Sequence, residues 1–180
     1  MSQALEKFFE VQRKASKPLG ESEEVAFFTS EVHCDEYCDA CGALVSLSKA
    51  GAQQIIEFAE GFSEAYDAVL AEDKSLKVAK KMTFDPWQFG ISATVTSSVS
   101  DELIQETTSV GVDFDAITSD EDTTEMKIDN WYLDFYAHGG AYLRLYEKYS
   151  DYQIEVPLTR NDLEKVIAYS PEESSSPKCG

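Results

Sequence analysis

His33, Cys34, Cys38 and Cys41 form the densest group of metal-ligating side chains in this sequence. Thiolate sulfur and imidazole nitrogen suit Zn²⁺, and a short loop between two strands is a usual place for a zinc knuckle. Three of the four cysteines fall within these eight residues, so the spacing is not that of a disulfide framework and points to a reducing, cytoplasmic compartment. There is no second CxxC pair, and adjacent His33 and Cys34 rarely hold one ion, so a fourth ligand would have to come from His138 or Cys179. The alternative is an unmetallated loop with ordinary cysteines.

The Cys34-x3-Cys38-x2-Cys41 spacing also resembles the cluster loop of radical SAM enzymes. The resemblance covers eight residues, with Ala40 where that family usually places an aromatic side chain. It implies an iron–sulfur cluster, to which zinc is preferred as the ion. Other catalytic patterns are weak. His33 and His138 are the two imidazoles, and neither sits in a serine or cysteine hydrolase signature. Neither GxGxxG nor GxxxxGK[ST] occurs. Asp113, Asp115, Asp120, Glu121 and Asp122 suggest Ca²⁺ by composition, but the glycine and terminal glutamate of an EF-hand loop are missing. Enzyme is therefore the minority reading, and no cofactor beyond possible zinc is expected.

Charge is the more informative signal. The 180 residues carry a formal net charge of -19. Nucleic acid and anionic membrane would repel such a chain, whereas a basic protein would attract it. The acids are grouped. Asp101, Glu102, Glu106, Asp113, Asp115, Asp120, Glu121 and Asp122 lie in a stretch where Lys127 is the one cation between 101 and 134. Glu57, Glu60, Glu64 and Asp67 recur at spacings of three and four, which places them on one helical face. Such an array suits a non-catalytic protein that blocks a basic, nucleic-acid-binding partner, as a nucleic-acid mimic of anti-defence type or as an immunity protein or antitoxin. The rival is a small metal-binding protein or enzyme centred on His33, Cys34, Cys38 and Cys41.

The elements that must position these groups follow from periodicity. Residues 128–158 read as a three-stranded antiparallel meander, with Trp131, Leu133 and Phe135, then Leu143 and Leu145, then Ile154, Val156 and Leu158 on one dry face. Tyr132, Tyr136, Tyr142 and Tyr146 take the other face around Asp134 and Arg144. A three-residue loop at His138-Gly139-Gly140 would set Phe135 opposite Leu143, with Gly140 left-handed. A turn at Ser150-Asp151 would set Leu145 opposite Val156.

Residues 49–72 read as a long amphipathic helix with Ser48 as its N-cap, and further helices are expected at 2–14, 100–106 and 160–169. Strands are expected near 25–29, 43–47, 91–99 and 110–117, with 32–41 and 119–125 as loops. Val45–Lys49 and Val156–Arg160 share one plan, a strand running into a hydroxyl-capped helix. The fold class predicted is α+β, one acidic domain over 1–169, with a disordered polar tail over 170–180. No apolar run is long enough to span a membrane, and no signal peptide is evident.

Overall fold

A computed structural model describes residues 3, 6, 7, 10, 23–34, 42–75, 78–96, 108–112, 125–126, 128–147 and 153–171. The fold is α+β. Its strands are β1 (Glu24–Thr29), β2 (His33–Cys34), β3 (Gly42–Ser48), β4 (Lys81–Phe84), β5 (Ser92–Thr96), β6 (Thr108–Val110), β7 (Glu125–Met126), β8 (Ile128–Tyr136), β9 (Gly140–Glu147) and β10 (Gln153–Leu158). Helix α1 spans Lys49–Glu72 and α2 spans Arg160–Ala168. Gln3, Glu6, Lys7 and Glu10 are helical and exposed, matching the polar side of the expected first helix. The expected helix at 100–106, the strand beyond 112 and the tail beyond 171 lie outside the described residues.

All described pairings are antiparallel, and they divide the strands into two sheets of order β6-β1-β3-β5-β7 and β2-β10-β9-β8-β4. Four elements depart from the sequence reading: β7 begins at Glu125, within the expected 119–125 loop, and pairs with β5, while β6 ends at Val110, where the strand expected at 110–117 begins. His33-Cys34, expected in a loop, adds to β10 as an edge strand. Lys81–Phe84, assigned to no strand by the sequence reading, is an edge strand on β8. Both are edge strands of two and four residues, too short for a period to stand out in the sequence, although β4 does alternate exposed Lys81 and Thr83 with half-buried Met82 and Phe84.

One core serves both sheets. Val25, Phe27, Val45, Leu47 and Val95 of the first sheet and Leu133, Phe135, Leu143, Leu145, Ile154 and Val156 of the second are buried in a single cluster with Ile55, Phe58 and Phe62 of α1. The period-2 strands and the 3.6-period helix each turn one apolar side to that cluster. Phe28, Leu44 and Val112 make a small second cluster on the far face of the first sheet.

The shared strand-to-helix plan is present in both sheets. Ser48 Oγ accepts from Gly51 N at 2.9 Å and Thr159 Oγ1 from Asp162 N at 3.2 Å, so each helix starts at the end of a strand with a capping hydroxyl. The two helices pack on one another, and Arg160 reaches Glu60 across the contact.

Strand register differs from the expectation by two residues in both hairpins. Phe135 lies opposite Ala141, Leu133 opposite Leu143, and Leu145 opposite Ile154. A shift of two preserves which side of the sheet each residue takes, so the dry face is as expected. The reason for the first shift is the turn. Its three residues are Ala137, His138 and Gly139; His138 has φ 63 and Gly140 φ 80. A positive φ is uncommon outside glycine, though histidine takes it more readily than most residues, and an anchor adds support. Here α1 supplies it: His138 N donates to Ser63 Oγ at 3.0 Å, and Nε2 lies 2.7 Å from Asp67 Oδ1. In β8 the register slips between Ile128 and Asn130, a bulge that lets Ile128 and Trp131 both pack against the core while Asn130 is exposed.

Candidate functional site

Three surfaces hold the residues that could act. The first is the solvent face of α1. Glu57, Glu60, Glu64 and Asp67 are all exposed there, because the opposite stripe of Ile55, Phe58, Phe62 and Val69 is buried. The structure thus brings these four carboxylates together, as their spacing predicts. Two of them already meet side chains of the same chain, an arginine and a histidine. Glu60 pairs with Arg160, which also holds Glu164 at 2.8 Å, and Asp67 pairs with His138. Glu57 accepts from Gln53 Nε2 at 3.0 Å. Exposed pairs of this kind neutralise charge locally and add little stability.

Ser63, His138 and Asp67 do not make a nucleophile relay. Ser63 Oγ donates to the Ala59 carbonyl at 3.0 Å and accepts from the His138 backbone, not from the imidazole. The contact anchors the β8–β9 turn.

The second surface is the outer face of the β4-β8-β9-β10 sheet. Asp134 is buried to 1% exposure, and its carboxylate is fully engaged. Oδ1 accepts from Thr83 Oγ1 at 2.7 Å and from Arg144 Nη2 at 3.3 Å. Oδ2 lies 3.0 Å from Arg144 Nε, an ionic contact whose N–H is not aligned as a hydrogen bond, and 3.9 Å from Lys81 Nζ.

Arg144 is flanked by the rings of Tyr132 and Tyr146, at 5.0 and 5.7 Å from their centroids. Its Nη1 donates to Tyr146 Oη, which donates to Gln153, which donates to Glu155, at 3.1, 3.3 and 3.3 Å. Burial works against the Arg144 charge, but Asp134 and Tyr146 outweigh it and hold its pKa above the ordinary arginine value. Tyr132 meets Tyr146 and Tyr136 meets Tyr142 edge to face, at 5.8 and 5.6 Å. Both pairs meet diagonally across the ladder, because Tyr132 lies opposite Arg144 and Tyr142 opposite Asp134. The network is closed on itself, which makes the face rigid rather than reactive.

The third surface was not legible in the sequence. A groove of about 460 Å³ opens where β1, β5 and β8 meet the 3₁₀ turn Pro86–Phe89. Trp87, Trp131, Glu24, Asp85, Ser92 and Asn130 line it. Trp87 is 86% exposed. The available signal was the spacing in Asp85-Pro86-Trp87-Gln88-Phe89. At three residues per turn Pro86 and Phe89 share a side, so anchoring both inside forces Trp87 out.

Asp101, Glu102, Glu106, Asp113, Asp115, Asp120, Glu121 and Asp122 lie outside the described residues, as do Cys38, Cys41 and Cys179. The backbone of His33 and Cys34 pairs with Glu155 and Ile154. Among the described residues no group of three or more His, Cys, Asp or Glu could hold a metal ion, and no helix is long and apolar enough to cross a membrane.

No family model matches the chain, and comparison with curated proteins and with solved structures finds no match for it.

Proposed function

We propose that this chain is a non-catalytic acidic binding protein that engages a basic, nucleic-acid-binding partner protein and blocks it. The observation that carries the reading is a net charge of -19 on a chain whose α1 carboxylates stand exposed on a helix fixed by its buried stripe. Charges held on a rigid element suffer little ordering on association, and a field of one sign steers an opposite partner towards it. The closed Asp134–Arg144 network adds a stiff platform behind that field. Both settings named above, a nucleic-acid mimic and an immunity protein or antitoxin, call for this chemistry.

The test begins with the immobilised full chain in extract of its native host. Bound protein is eluted with a salt gradient, and the purified partner is then titrated at several ionic strengths. A partner of high isoelectric point is expected, with affinity falling steeply as salt rises. In a Glu57→Gln/Glu64→Gln variant the association rate should drop several-fold while dissociation changes little. A neutral or acidic partner, or affinity indifferent to salt, would refute the reading.

A further inference from the structure

We propose that the groove between Trp87 and Trp131 is the seat for an arginine side chain presented by the basic partner, which rests on the binding reading above and locates its anchor point. Four observations converge. Trp87 is 86% exposed, an unusual state for the largest apolar side chain. Its backbone is nevertheless fixed. Asp85 Oδ1 caps the turn by accepting from Trp87 N at 3.1 Å, and Gly90 closes it in the left-handed conformation at φ 63. Pro86 and Phe89 are buried beneath, Phe89 within 5.3 Å of the Phe135 ring centroid and 5.7 Å of that of Phe84. An aromatic side chain on so rigid a base is preorganised, the property of an interface anchor.

The polar lining gives the sign of the occupant. Glu24 and Asp85 are both exposed carboxylates on the groove, and among the described residues no cation pairs with either. Among the described residues the Glu24 carboxylate meets the Ser46 hydroxyl at 3.4 Å, and Asp85 serves its own turn. Indole faces attract cations through the ring quadrupole, and a planar guanidinium stacks on them while its edge donates to carboxylates. Asn130 and Ser92 add neutral polar groups at the rim. A volume of about 460 Å³ admits one arginine side chain with neighbouring backbone.

The chain's two tryptophans both line this groove, so emission excited selectively at tryptophan, clear of the nine tyrosines, reports on it. The full chain is titrated with a tryptophan-free tetra-arginine amide, with tetra-glutamate and choline chloride as separate arms. A saturable change in emission with tetra-arginine is expected, and none with tetra-glutamate.

Glu24→Gln/Asp85→Asn removes both charges but keeps an acceptor for the cap, and it should weaken binding by about three- to tenfold. Trp87→Ala, followed through Trp131 emission, should weaken it by about tenfold or more. Circular dichroism confirms that each variant is folded. Unsaturable or equal responses to arginine and glutamate peptides, undiminished binding in the charge-neutral variant, or saturation by choline but not arginine would overturn the proposal.

The two readings fail separately. If a captured basic partner binds Trp87→Ala as tightly as the parent chain, the groove assignment falls and the binding function stands. If the groove takes tetra-arginine but no basic partner is found in the host, the reverse holds.

Discussion

Replacing Asp134 by alanine tests whether the polar face of the second sheet is held by one buried charge. The carboxylate is 1% exposed and Arg144 18% exposed. Removing one partner of a buried pair typically destabilises by about 3–5 kcal/mol, because the other charge is left without compensation. Arg144 retains a path to water between two tyrosines, so the lower end applies, about 3 kcal/mol. Lys81 is far more exposed and 3.9 Å away, so Lys81→Ala should change stability by less than about 0.5 kcal/mol. Thr83→Val removes one hydrogen bond and should cost about 1 kcal/mol.

The assay is urea unfolding followed by tryptophan emission and far-ultraviolet circular dichroism. With a slope of about 2 kcal/mol per molar, Asp134→Ala should lower the midpoint by about 1.5 M. Arg144→Met and the double variant complete a cycle whose coupling should reach about 2 kcal/mol. A single-variant loss below about 1 kcal/mol, or a coupling near zero, would refute the idea that this pair is charged and mutually dependent.

Three further outcomes are expected. Gly111→Ala should destabilise by about 2 kcal/mol or more, roughly twice Gly140→Ala. Both glycines have positive φ, but a Cβ at Gly111 would lie 2.5 Å from Tyr169 Cε2, whereas at Gly140 it meets nothing within 4 Å. Adding Tyr169→Ala should remove part of that excess in thermal melts. Phe89→Ala should cost about 3–4 kcal/mol by opening the ring cluster with Phe58, Phe84 and Phe135, read by urea midpoint. Burial, then the charges of Asp134 and Glu155, raise the Tyr136 pKa above its ordinary 10.0. The folded chain therefore holds that proton more tightly than the unfolded one. The stability this contributes is complete below pH 10 and is lost as pH rises through the folded-state pKa. Tyr136→Phe should flatten the alkaline fall in stability; an unchanged slope would contradict it.

The sequence by itself determined the α+β class, the long helix, the dry face of the meander and the tyrosine ring around Asp134 and Arg144. These follow from periods of 2 and 3.6, which decide sidedness without knowledge of partners. It also placed Glu57, Glu60, Glu64 and Asp67 on one helical face. Tertiary structure decided which strands share a sheet, and strands 81–84 and 33–34 exist only as the two edges of the β10-β9-β8 meander. It set the register of the β8–β9 hairpin, because α1 anchors the left-handed backbone of His138 through Ser63. It likewise made the tryptophan groove, since Glu24, Asp85 and Trp131 are far apart in the chain and meet only where the two sheets share their core. Side-chain alternation is a local property, whereas edges, turn anchors and grooves depend on what packs against them.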